Sequence, residues 1–172
     1  KMKNEDCQMC SLRKGCHQVV VGIGNSSKIM VVGECPTKDD DFLGELFTSK
    51  EGYYFKKLLF KNGINYSNAY FTYAIKCLGK HNKKHRDICQ YWLKKEICEN
   101  KPRYMLSLGL IPTEVLLEKK IILKYVIGKF CKKIYNDIET IVIPWYNINK
   151  LYLGGNNIVQ ETIKLLGKIK TS

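Results

Sequence analysis

The chain has 172 residues, 45% of them hydrophobic and 11% aromatic, which suits one domain with a sizeable core and excludes a disordered chain. No apolar run approaches the ~20 residues of a membrane-spanning helix, and the polar opening KMKNEDCQMC lacks the apolar centre of a signal peptide. The balance of 29 basic against 16 acidic residues gives a net charge of +13, which opposes self-association and attracts polyanions, nucleic acid first among them.

These properties set the expectation of a single soluble, intracellular domain over residues 1–172, without membrane contact. A Lys-, Asn- and Ile-rich composition with solvated side chains is the alternative reading of the charge.

In chain order, Lys28–Gly33 (KIMVVG) is a short apolar run ending in Gly and reads as a buried strand. Tyr53–Lys61 has helical spacing of its apolar residues and stops at Asn62-Gly63. Ala69–Ile75 (AYFTYAI) is rich in aromatic residues and reads as a second strand. Cys89–Glu99 fits a helix with Trp92, Leu93 and Ile97 on one face. Arg103–Leu108 is a third strand ending at Gly109, and Pro112–Lys120 a helix with Pro in its first turn. Thr140–Tyr146 is a fourth strand broken by Pro144, and Ile158–Leu166 a terminal helix. This alternation predicts a three-layer α/β fold: a mostly parallel central sheet of about four strands with helices on both faces. Ligands in such folds sit beyond the carboxyl ends of the strands. Gly33-Glu34, Tyr73, Gly109 and Asn147 all fall at or near those ends.

Eight cysteines are many for this length. Nothing marks the chain as secreted, so metal or cluster ligation is a better reading than disulfides. Cys7 and Cys10 form a CxxC, and Cys77 and Cys89 flank the basic loop LGKHNKKHRDI. Four thiolates hold zinc or a [4Fe–4S] cluster, and the spacing alone does not choose between them. Cys16, Cys35, Cys98 and Cys131 read as small core or surface residues, with Cys16 and Cys98 the alternates for a ligand position.

Several segments together resemble the family 4 uracil-DNA glycosylases, from about Cys7 to Leu153. The opening CQMCSLRKGCHQVVVGIGNSSKIMVVGECP is similar to the family's CxxC, basic stretch, Val and Gly turn, and strand ending in GE-x-P. Gly33, Glu34, Pro36, Gly44, Phe47, Gly52, Leu58 and Leu59 match the GEAPG…G.PF…G..L motif without a gap. Lys76-Cys77 fits the family's KC, CQYWLKKEI at Cys89 its next helix, and SLGLIPTEVLL its LG…LL strand and helix.

The resemblance implies a uracil-DNA-glycosylase-like fold, with an N-terminal cluster-binding segment and a [4Fe–4S] cluster on Cys7, Cys10, Cys77 and Cys89. It implies a base pocket at Gly33, Phe47 and the Asn position after the second strand, which here is Tyr73. It implies catalysis by Glu34, near the attacked sugar, and by the His of a PT.HP segment. Here that segment is PWYNINKL, and Asn147 takes the His place. Thr37 replaces the second Gly of GEAPG. Core packing is the alternative role for Phe47 and Tyr73, and turn capping for Glu34.

Tyr73 is bulkier than Asn, and Asn147 cannot become a cation, so the expectation is a catalytically degenerate, DNA-binding or assembly subunit. An active glycosylase excising uracil or another base is the second reading, and a structural subunit the third. DNA is the implied partner, through Lys80, Lys83, Lys84, Arg86 and Lys150, with a protein partner in a replication or repair assembly; beside Lys150, Leu151 reads as an apolar wedge, with a solvated Lys150 and a core Leu151 as the alternative.

Overall fold

A computed structural model describes residues 7–25 and 28–171. The polar opening before Cys7 lies outside the described residues. A single helical turn α1 (Leu12–Gly15) precedes a short strand β1 (Ile23–Gly24) and the apolar strand β2 (Ile29–Gly33). Helices α2 (Lys38–Leu43) and α3 (Lys50–Lys61) lead to β3 (Ala69–Tyr73). Helix α4 (Lys83–Asn100), β4 (Tyr104–Leu108) and α5 (Leu110–Leu117) follow. After a 3-10 turn, a hairpin of β5 (Cys131–Tyr135) and β6 (Ile138–Trp145) precedes α6 (Ile148–Leu153) and α7 (Gly155–Thr171).

The strands form one sheet in the order β1-β3-β2-β4-β6-β5. The four central strands are parallel, and the outer strands β1 and β5 run antiparallel to their neighbours. Side chains alternate across the sheet with the period of two that a strand imposes. Ile29, Val31, Phe71, Leu106 and Ile143 face a core completed by Phe55 and Leu59 of α3 and Leu165 and Leu166 of α7. Met30, Val32, Met105 and Val142 face the opposite core, under Leu93 and Ile97 of α4 and Val115 and Leu116 of α5. Helices on both faces of a largely parallel sheet give the expected α/β class.

Sheet order positions the site. From β2 the chain goes to β3 on one side and later to β4 on the other, which leaves a crevice at the carboxyl ends of these strands. Gly33 pairs with Tyr73 and Leu108 with Trp145, so Glu34 and Asn147 emerge at the same edge.

The sheet has six strands rather than about four. Both additional strands lie at its edges, where one side of the ladder is unpaired and the apolar signal is weak. In β5 (CKKIY) lysines share an exposed strand, and its turn carries positive φ at Asn136 and Asp137, as a tight two-residue hairpin requires. Helix α4 begins at Lys83, six residues before the expected start at Cys89. Asn82 caps it, accepting from the His85 N–H, and His85 Nδ1 accepts from the Asn82 N–H. The stretch expected as a basic loop therefore becomes helical from Lys83 onward. Leu151 is 1% exposed and belongs to the core, which excludes the wedge role expected of it.

Candidate functional site

A cleft of about 180 Å³ opens at the carboxyl edge of the sheet. Gly33, Glu34, Phe47, Tyr73 and Asn147 all border it, together with Cys35, Thr37 and Ser49. Sequence positions as far apart as 33 and 147 thus converge on one cavity.

Tyr73 closes the floor of this cleft. Its hydroxyl donates to Asp40 Oδ2 at 2.9 Å and accepts the Phe47 N–H at 3.0 Å. Its ring lies edge-on to Phe47, with centroids 4.8 Å apart. Burial first, and then the Asp40 charge, push the phenol pKa upward, so the hydroxyl stays protonated and keeps donating. A Cβ on Gly33 would stand 2.7 Å from the Tyr73 ring and 2.8 Å from the Phe47 ring, so Gly at position 33 is what lets both aromatic rings sit against the strand end.

Asp40 is the hub beneath the two rings. It is fully buried and accepts from the N–H and hydroxyl of Thr37 and from the N–H and hydroxyl of Thr48. The Thr37 hydroxyl also accepts the Asp40 N–H, completing a capping box at the start of α2. Burial opposes ionisation of this carboxyl, but the bonds from Thr48 and Thr37 together outweigh it and hold its pKa below the usual value.

Phe47 is 1% exposed and has a φ of +55°, a left-handed conformation that costs a non-glycine residue energy. The Tyr73 bond to its N–H and the close approach of Gly52 hold it there. A Cβ on Gly52 would come within 2.7 Å of the Phe47 backbone.

Glu34 and Asn147 stand at the mouth of the cleft. Glu34 is 44% exposed, and its Oε1 lies 3.1 Å from His81 Nε2. His81 itself is 11% exposed, and its Nδ1 is buried with no hydrogen-bond partner among the described residues. Beside Glu34, burial and the Glu34 and Asp40 charges push the Cys35 thiol up to about 11. Asn147 is exposed and caps α6, its Oδ1 accepting the Lys150 N–H at 2.8 Å. Asn147 also lines the cleft.

Next to the cleft, Cys7, Cys16, Cys77 and Cys89 are buried in one group with Leu12, Val19, Ile75 and Trp92, and Cys10 and Cys35 pack against it. The Trp92 indole N–H donates to Cys7 Sγ at 3.1 Å. Burial raises the Cys77 thiol pKa, and so do a hydrogen bond with Cys16 and the nearness of Cys89 and Cys10. Burial likewise raises that of Cys89, opposed by the Lys76 N–H. Two anchors hold these segments together. Lys76, 1% exposed, pairs with Glu96 at 2.6 Å and donates to Thr72, which ties the end of β3 to α4. Asp41 accepts the N–H groups of His17 and Gln18, which ties the cysteine-bearing segment to α2.

The five basic candidates divide. Lys80, Lys83, Lys84 and Lys150 are exposed. Lys83 pairs with Asp87 at 2.6 Å, and Arg86 is half-buried against Glu114 at 3.6 Å, in a groove of about 370 Å³ between α4 and α5.

Asp40 and His81 are not among the residues singled out from sequence, and Cys35 reads there as a small core or surface residue. The Thr37-x-x-Asp40 spacing is a readable capping signal. His81 carries no local signal, since its approach to Glu34 spans 47 positions and depends on how the loop after β3 folds.

Comparison with known proteins agrees with this arrangement. The model of the uracil DNA glycosylase superfamily matches residues 21–157. The type-4 uracil-DNA glycosylase of Saccharolobus solfataricus is 28% identical over 151 residues, 82% of this chain and 70% of that protein. The type-4 enzyme of Pyrobaculum aerophilum is 29% identical over 119 residues, 66% of this chain and 61% of that protein. That of Thermotoga maritima is 30% identical over 108 residues, 60% of this chain and 56% of that protein. The chain thus spans roughly half to seven-tenths of the relatives it matches. A family match across the sheet and cleft shows that the chain belongs to the uracil-DNA glycosylase superfamily, with its kin among the type-4 enzymes.

Proposed function

We propose that this chain is a DNA-binding protein of the uracil-DNA glycosylase fold, holding a [4Fe–4S] cluster, whose base pocket is closed to uracil. The observation that carries the reading is Tyr73 bonded to Asp40 and Phe47 across the pocket floor. Flipping a base costs a few kcal/mol, and only a fitted pocket recovers it. The Tyr73 hydroxyl is already committed in both directions, and Asn147 has given its carbonyl to α6. A uracil edge entering here leaves polar groups unmet, which removes the main source of discrimination.

The thiol group fits a cluster. Its donors are sulfur alone, its walls are apolar, and an indole N–H already points at one sulfur. Cys7, Cys10, Cys77 and Cys89 are the proposed ligands, with Cys16 left as a neighbouring thiol. When bound, the cluster ties the chain before α1 to the end of β3 and to α4, and the chemistry of the cleft falls to side chains. Purification without air should give about four irons per chain, and Cys77→Ala should bleach the protein. Stoichiometric zinc with no iron overturns the assignment.

Lys80, Lys84 and Lys150 are the proposed phosphate contacts. Phosphate contacts position a protein without reading sequence, so duplexes with uracil or thymine at one position should bind with equal affinity.

A second reading is an active glycosylase with a different base preference, acting in a replication or repair assembly. The Glu34–His81 pair at the cleft mouth favours it, because it holds a carboxylate where an attacking water needs one. Release of a deaminated or oxidised base from a panel of duplexes, lost in Glu34→Gln, establishes this reading in place of the first.

A further inference from the structure

We infer that Glu34, Cys35 and His81 form a three-ligand site for a borderline divalent cation, zinc, at the mouth of the cleft, beside the proposed cluster thiols and using none of them. One donor atom from each of the three lies within 4.8 Å of the others. Two come from the turn after β2, and the third from the loop between Cys77 and Cys89. The group therefore assembles only in the folded chain.

The donor set selects the metal. A carboxylate oxygen, an imidazole nitrogen and a thiolate sulfur suit zinc, whereas magnesium and calcium take oxygen ligands throughout. Donors around a tetrahedral zinc stand roughly 3.3–3.8 Å apart, and the present ones lie within 4.8 Å of one another.

His81 turns Nε2 toward Glu34 Oε1, at 3.1 Å, so this ring nitrogen is the one that faces the site. One further observation points to a cation. The surroundings are negative: Glu34 is at the site, and the buried Asp40 carboxylate accepts from Thr37, which lines the same cleft as Cys35. The Cys35 thiol gives up its proton on coordination.

Three protein ligands leave a fourth position open. Glu34 and Cys35 both border the cleft, so that position falls to water or to an oxyanion lying there. The inference does not depend on whether the cleft excises bases. It does predict that zinc takes Glu34 out of service as a base.

The test uses the full chain with its iron in place. The protein is given one equivalent of Zn²⁺, desalted, and assayed for zinc and iron together. Expected is one zinc per chain with iron unchanged, and a thiolate-to-metal charge-transfer band when Co²⁺ replaces Zn²⁺. Cys35→Ser should abolish that band, and His81→Gln should weaken zinc binding at least tenfold, with circular dichroism confirming that both variants fold. The cobalt spectrum of the unaltered protein is a readout that needs no variant. Zinc uptake matched by iron loss would assign the zinc to the cluster thiols and overturn the inference. So would a cobalt complex without the charge-transfer band, equal zinc retention in the Cys35 and His81 variants, or no zinc retained at all. If the protein proves to hold no iron, the cluster proposal fails separately, and the zinc difference between the unaltered chain and Cys35→Ser still decides the present one.

Discussion

The Tyr73 hydroxyl sits 2.9 Å from Asp40 Oδ2 and 3.0 Å from the Phe47 N–H, so a single phenol bridges β3, α2 and the loop before α3. Removing it in Tyr73→Phe leaves the buried Phe47 N–H without its partner and takes one bond from Asp40. The cost of such an unmet group is about 1–3 kcal/mol. Urea denaturation should show a lower midpoint at unchanged slope.

Opening the floor is the converse experiment. Tyr73→Asn removes the ring, and Asn147→His restores a group that can carry positive charge. On the proposed pocket both would act on one bound base, so the double variant should raise uracil release by more than the two single changes combined. Additive or null effects would mean that the two positions do not share a ligand.

Asp40 gives the protein an acid-sensitive element. Its folded pKa lies below the ordinary value of 3.8, so ionisation favours the folded state. The resulting stability is fully present above that value and is lost as pH falls through the folded pKa. Denaturation midpoints from about pH 5 down to about pH 2 should fall more steeply for the unaltered protein than for Asp40→Asn.

The Lys76–Glu96 pair supports the thiol cluster from outside it. Glu96→Ala strands a buried ammonium, at a cost of about 3–5 kcal/mol. Replacing both partners, as Lys76→Met with Glu96→Leu, should recover much of that loss in thermal melts. Iron retention should fall in Glu96→Ala, because Cys77 follows Lys76 directly and Cys89 lies on the helix that carries Glu96.

If the chain binds DNA as proposed, the ion pairs on α4 reduce its phosphate contacts. With Lys83 on Asp87 and Arg86 on Glu114, three of the four exposed lysines stand outside these ion pairs. For three neutralised phosphates, log K should fall with log salt at a slope of about −2.7. Lys84→Ala should make the slope shallower by about 0.9, and Arg86→Ala should leave it unchanged.

The legible parts of this protein were those where burial leaves a continuous apolar record. All four central strands lie where KIMVVG, AYFTYAI, RYMLSL and TIVIPWY place them, because they are covered on both faces. The edge strand CKKIY mixes lysines with apolar residues and loses that record. The cleft was legible through motif order, which brought Gly33, Phe47, Tyr73 and Asn147 to one cavity. What Tyr73 bonds to was not legible, since Asp40 lies 33 positions away and enters as the third residue of a capping box. At Leu151 the alternative reading holds: its apolar character signalled the core rather than DNA.

The central claim is that Tyr73 closes the pocket while the fold still grips DNA. Its most direct test is single-turnover release of uracil from single- and double-stranded DNA, with iron-loaded protein in excess. The account predicts that the DNA is bound and the uracil stays attached. Rapid release by the unaltered protein, abolished by Glu34→Ala, would contradict it.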